Sequence, residues 1–206
     1  MGVKLAAAAR RIGVFGGAFD PPHRAHVALV RAALEQLQLD VMHVLPTGHA
    51  WHKTRPLSAA EDRLAMTRIA FEGEPRVLVD PRELHRDGPT YTIDTLHELA
   101  AENPGAELYL LLGADQASAL DQWHDWEAIL RIAIISIAER QGAAMAKARF
   151  DPEKLSFARV RHLELPAMDV SATEVRARAA DGRGIGRLVP AGVARYIELH
   201  HLYRTA

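Results

Sequence analysis

The 206-residue chain contains no cysteine, which excludes disulfide frameworks, thiolate nucleophiles and cysteine-ligated zinc. It has no apolar run approaching the ~20 residues that a bilayer-spanning helix requires. The N-terminal LAAAAR stretch meets Arg10 and Arg11 too soon to form the apolar region of a signal peptide, so the expectation is a cytoplasmic protein with no membrane partner. Net charge is also nearly absent, 25 Lys and Arg against 26 Asp and Glu leaving −1. That balance offers no global attraction to a polyanion and argues against nucleic-acid binding, so any phosphate affinity must be local. Internal repeats and low-complexity tracts are missing as well.

What remains is an ordinary globular composition, 49% hydrophobic and 25% charged. The length suits a single core, and the expectation is one domain over residues 1–206 with a C-terminal helical portion from about 171. Short apolar runs alternate with longer amphipathic stretches, the pattern of an α/β fold whose parallel sheet carries helices on both faces. Strands are predicted at Ile12 to Phe15, Val41 to Leu45, Arg76 to Val79, Leu108 to Leu112, Ile132 to Ile137 and about Ala158 to Leu163. Helical spacing marks His26 to Leu37, Ala59 to Phe71, Ile93 to Ala101 and Trp126 to Leu130, with two further helices after Ser171 and Pro190. Ser58 with Glu61, and Ser171 with Glu174, read as capping boxes at helix starts. The weakly patterned stretch from Gln141 to Lys154 reads as a loop with a short helix.

Directly after the first strand stands GGAFDPPHRAH, Gly16 to His26. Paired glycines let backbone amides approach an anion, and the helix start behind them adds unpaired N–H groups and partial positive charge. His23 and His26, three apart at that helix start, fall on nearly the same face and can both donate to phosphate oxygens. The segment lacks the Lys and the Ser or Thr of a Walker loop and does not match G-x-G-x-x-G, which disfavours those two phosphate-binding classes. A second constellation, Val170 to Arg176 (VSATEVR), sets Ser171 and Thr173 at a helix start with Arg176 one turn on, so that amide, hydroxyl and guanidinium donors converge.

The first segment resembles the G-G-[ST]-F-D-P-x-H-x-G-H signature of the nucleotidylyltransferase superfamily, and the second its I-S-[ST]-T-x-x-R motif. Ala18 stands where that signature has a hydroxyl residue and Ala25 where it has glycine, departures that bear on rate rather than reaction type. Across nearly the whole chain the sequence is similar to the bacterial nicotinate-nucleotide adenylyltransferase family. The segments that carry this are Pro46-Thr47-Gly48 with Trp51-His52-Lys53, the run Gly88 to Leu96 (GPTYTIDTL), Gly113-Ala114-Asp115, Trp123, Trp126 and the Tyr196 to Tyr203 helix end.

The resemblance implies a Rossmann-like single domain that joins ATP and nicotinate mononucleotide into deamido-NAD and pyrophosphate, with Mg²⁺ carried by ATP and no protein metal cage. The alternatives are a related transferase acting on the amidated mononucleotide or phosphopantetheine, and a nucleotide-binding module without turnover. The resemblance assigns catalysis to His23, His26, Lys53 and Arg176, and ATP binding to Gly16, Gly17, Ala18, Phe19, Gly113, Asp115, Ser171 and Thr173. It assigns the mononucleotide to Tyr91, Thr92 and Trp123. Each has a plainer reading: Lys53 as a surface lysine, Thr92 as a helix cap, Asp115 as an N-cap instead of a ribose ligand, Trp123 as core packing instead of a ring platform. Trp126 reads as packing, and Arg178, Arg183 and Arg187 as solvated surface. The remaining histidines show no ligand-like spacing with carboxylates. A homo-oligomer is compatible with everything in the sequence.

Overall fold

The computed structural model describes residues 10–48, 56–140 and 150–204. Among them, β1 (Arg11–Gly17), β2 (Val41–Pro46), β3 (Val77–Val79), β4 (Glu107–Gly113), β5 (Ala133–Arg140) and β6 (Arg159–Leu165) form one sheet. Its order is β3-β2-β1-β4-β5-β6 and every pairing is parallel. The helices are α1 (Arg24–Gln36), α2 (Ala60–Ala70), α3 (Thr92–Glu102), the single turn α4 (Ala114–Ala117), α5 (Trp126–Ile132), α6 (Ala172–Ala180) and α7 (Ala191–Leu199).

Period-two alternation along the strands explains why both faces are covered. Ile12 and Val14 of β1, Leu108, Leu110 and Leu112 of β4 and Ile135 and Ile137 of β5 pack with Leu96 and Leu99 of α3 and Ile129 and Leu130 of α5. The opposite face gathers Phe15, Met42, Val44, Tyr109 and Leu111 with Val30 and Ala33 of α1, Met66 of α2, Val175 of α6 and Val193 and Ile197 of α7. A strand buried on both faces reads as a continuous apolar run, as LYLLL at 108–112 does. The C-terminal helices therefore lie on the same face as α1 and α2, close to the loop that leaves β1.

Four differences from the sequence expectation matter. β1 continues through Gly16 and Gly17, which pair with Leu45 and Pro46, so the glycines are the end of the strand. α1 starts at Arg24 with His23 as its N-cap, two residues earlier than the apolar periodicity suggests, because the first turn is polar. The capping box at Ser58 is not formed: the N-cap of α2 is Ala59, with no side-chain cap bond, and the Ser58 amide instead donates to Asp20 at 3.3 Å. The Ser171 cap is half formed, its hydroxyl accepting from the Glu174 amide at 3.2 Å, while the Glu174 carboxylate pairs with Arg178 at 2.7 Å. Residues 141–149 lie outside the described residues; after them a 3₁₀ turn runs over Pro152–Lys154.

Candidate active site

Strand order creates the site. β1 and β4 remain paired only as far as Val14 and Leu110, whereas β1 continues on β2 to Gly17 and β4 on β5 to Gly113. Beyond Val14 the two central strands part at their carboxyl ends, and open α/β sheets bind ligands at such a switch point. A cavity of about 390 Å³ occupies the opening, lined by Gly16, Gly17 and Ala18 from β1 and its exit, by Tyr91 and Thr92 at the start of α3, and by Asp115 and Trp123 from the connection between β4 and α5. A Cβ at Gly16 would meet nothing within 4 Å, so its bareness serves no packing need and leaves backbone open to the cavity.

The chain then turns through Phe19, whose φ of 46° is left-handed. Its ring is buried, edge-on to Phe15 at 5.4 Å and to His26 at 5.2 Å, so what Phe19 offers a ligand is backbone. His23 and His26 stack with ring centroids 3.6 Å apart and planes 17° from parallel. The His23 amide donates to His26 Nδ1 at 3.1 Å. An accepting Nδ1 leaves the neutral ring's proton on Nε2, which makes that atom the donor. The Ala25 methyl packs against the core.

Asp20 joins the two motifs that are far apart in sequence. Its carbonyl accepts from Arg176 Nη1 at 2.8 Å, and Arg176 Nη2 donates to Thr173 Oγ1 at 3.1 Å. The residue is 2% exposed, and its carboxylate accepts from the Tyr203 hydroxyl at 2.7 Å as well as from the Ser58 amide. Beneath this loop Arg63, also buried, donates to the carbonyls of Ala18 (3.1 Å), Thr47 (2.7 Å) and Ser58 (3.1 Å). Burial pulls the Arg63 guanidinium down and the Asp20 charge opposes it. Burial, then Asp20, pushes the Tyr203 phenol well up, so it stays a donor at neutral pH.

On the other side of the cavity the Tyr91 ring stacks with His124 at 4.2 Å, and Trp123 is half-buried. Glu83, a buried carboxyl on the cavity wall, accepts from the Thr95 hydroxyl at 2.8 Å, and Thr95 accepts from Arg86 at 2.8 Å. Burial raises the Glu83 carboxyl against the pull of Thr95 and Arg86. Within β2 the buried His43 ring lies 3.0 Å from Asp80, which also takes the Arg82 amide and guanidinium. Burial alone would raise Asp80; these partners overcome it and hold the carboxyl down to about 2.

Comparison with known proteins follows the same lines. Residues 14–178 match the cytidylyltransferase-like family. A protein of Albidiferax ferrireducens named "Probable nicotinate-nucleotide adenylyltransferase" is 58% identical over 197 residues, 96% of this chain and 100% of that one. This chain belongs to that family. A protein of the same name from Bordetella petrii is 42% identical, with 95% of this chain and 100% of its own length covered. The fold is shared with Plasmodium falciparum nicotinic acid mononucleotide adenylyltransferase complexed with APC, at a TM-score of 0.78 and 19% identity over 94% of this chain and 97% of the other. As a family member the chain is a nucleotidyltransferase.

The structure brings most of the candidate residues to one crevice. Gly16, Gly17, Ala18, Tyr91, Thr92, Asp115 and Trp123 line the cavity, and His23, His26, Thr173 and Arg176 sit beside Asp20 on the adjoining loop and helix ends. Gly113 is the N-cap of α4 and Ser171 that of α6. Thr92 is the first residue of α3, with Tyr91 as the N-cap, and Asp115 lies within α4 instead of capping it. Trp126 packs edge-on against Phe150 at 5.2 Å. Lys53, with Trp51 and His52, lies outside the described residues. Among the described residues no group of three or more His, Asp or Glu is arranged to hold a metal ion, and no helix is long and apolar enough to cross a membrane.

Sequence reasoning missed Arg63, Glu83, His124 and the placement of Tyr203. One signal was available: Arg63 shares the buried stripe of α2 with Met66, Thr67 and Ala70, and a charge on an apolar stripe announces a specific partner. Nothing local marks Glu83 as buried.

Proposed function

We propose that this chain transfers the adenylyl group of ATP to nicotinate mononucleotide, forming deamido-NAD and pyrophosphate, a step of cytoplasmic NAD biosynthesis. The observation that carries the reading is the bond from Arg176 to the Asp20 carbonyl, which joins the two phosphate-handling motifs beside a cleft with aromatic walls. A phosphate oxygen of the mononucleotide attacks the α-phosphorus of ATP in line. A new P–O bond forms, the bond from the α-phosphorus to the bridging oxygen breaks, and pyrophosphate departs with the electron pair. The attacking phosphate is ionised at neutral pH, so no side chain has to deprotonate it.

Catalysis then consists of alignment and charge neutralisation. His26 donates from Nε2 to the α-phosphate, a role that its Nδ1 contact with the His23 amide supports. His23 positions the ATP phosphates, Gly16, Gly17 and Ala18 contribute backbone, and Arg176 and Lys53 take the β- and γ-phosphates with Ser171 and Thr173. Asp115 and Gly113 meet the ATP ribose at the carboxyl end of β4. Thr92 and the first amides of α3 receive the nicotinate carboxylate, and Trp123 with Tyr91 offers the pyridine ring a flat wall. Magnesium would come with ATP, held mainly by its phosphates rather than by protein side chains, and would supply charge neutralisation there.

The test is steady-state pyrophosphate release from ATP with nicotinate mononucleotide, its amide and phosphopantetheine as separate acceptors. The expected result is turnover with a clear preference for the acid. No release with any acceptor, or no preference for the acid, would overturn the reading.

A further inference from the structure

We propose that Tyr203 is a positioning residue, a C-terminal latch that sets the phosphate loop for ATP. After α7 the backbone reverses through two left-handed non-glycine residues, His201 (φ 51°) and Tyr203 (φ 65°). That conformation is sparsely populated for side-chain-bearing residues and persists only where surrounding contacts determine it. Here the Leu202 amide donates to the Ile197 carbonyl at 3.0 Å, and Leu202 and Tyr203 pack against the core on the α1 face. The turn delivers the Tyr203 hydroxyl to Asp20 Oδ1 at 2.7 Å, a contact spanning 183 residues of sequence.

Asp20 lies between the glycines and His23, in a stretch that no strand ladder holds. Among the described residues it is tied from outside the loop by Ser58 and Tyr203 on the carboxylate and by Arg176 on the carbonyl. The Ser58 bond is long at 3.3 Å, and Arg176 is itself a candidate phosphate ligand. Of the two carboxylate contacts from described residues the Tyr203 bond is the shorter, at 2.7 Å against 3.3 Å, and it is charge-assisted. It reaches Asp20 without adding net charge beside Arg63. A shift of the loop would move the amides after Gly17 and the His23–His26 pair together, so the latch acts on ATP through Asp20 and not by touching it.

The latch rests on the reading that the loop from Gly16 to His26 holds ATP. The experiment compares the full chain with Tyr203→Phe, which keeps the packed ring and removes the hydroxyl. Losing a hydrogen bond to a charged group predicts a rise of about ten-fold in the KM and Kd for ATP, with the acceptor KM unchanged. An unchanged ATP KM, or equal losses for both substrates, overturns the latch. Should the variant fail to fold, chains ending at Arg204 and at Leu202 are compared, and only the shorter is expected to lose ATP affinity; equal affinities overturn the proposal. Failure of the unaltered chain to release pyrophosphate sinks the functional reading, whereas an active parent with an indistinguishable variant sinks only the latch.

Discussion

Replacing Arg63 by methionine removes the guanidinium that ties the exits of β1 and β2 to the segment before α2. The methionine fills much of the same channel but donates nothing, so the carbonyls of Ala18, Thr47 and Ser58 lose donors at 3.1, 2.7 and 3.1 Å. Each buried carbonyl left unsatisfied costs about 1–3 kcal/mol, and Asp20 loses one favourable charge interaction. These losses overlap, because a relaxing loop admits water, so the net cost is about 3–5 kcal/mol, below the upper sum of three such penalties. At roughly 2–4 °C per kcal/mol for a chain of this size, the thermal midpoint falls on the order of 10 °C. Arg63→Lys separates charge from geometry: one ammonium keeps the charge near Asp20 but cannot span three carbonyls, so its midpoint should be intermediate and its ATP KM still raised. Far-UV circular dichroism melts and ATP kinetics on both variants read these effects. A methionine variant that melts within about 2 °C of the parent and keeps its ATP KM would refute the reasoning.

His26→Ala should cut turnover by about 10²-fold in a variant that still folds; near-normal turnover of the purified variant would remove His26 from the chemistry. Trp123→Ala should raise the acceptor KM by about ten-fold, from the ~1–3 kcal/mol that stacking a base on an aromatic ring provides, and an equal change in the ATP KM would argue that Trp123 is only packing. Asp80 falls from an ordinary 3.8 to about 2 in the folded chain, so its contribution is complete above pH ~4 and is lost as pH falls toward 2. With about 1.4 kcal/mol per pKa unit, Asp80→Asn should cost about 2 kcal/mol at pH 7 and close to nothing near pH 2. Urea midpoints at several pH values test this, and a parent–variant difference that does not shrink on acidification would contradict it.

Local pattern alone determined much of this protein. Apolar runs such as LYLLL read as strands buried on both faces, and the two histidines behind a pair of glycines pointed to a candidate anion site without any tertiary information. Ser171 was readable as a cap because its partner, the Glu174 amide, lies three residues away. Tertiary structure decided whatever depends on which segments meet. The crevice exists because β1 departs from β4 after Val14, a property of strand order that neither strand encodes by itself. Ser58 looked like a cap, yet its amide goes to Asp20, since a buried carboxylate 38 residues away competes for that donor. Asp20, Arg63, Arg176 and Tyr203 form one assembly from four separate segments, held by contacts that only the folded chain brings within hydrogen-bonding range. The physical division is one of range: periodicity and capping act within a helical turn or a strand, whereas desolvated charges choose their partners from whatever the fold places beside them.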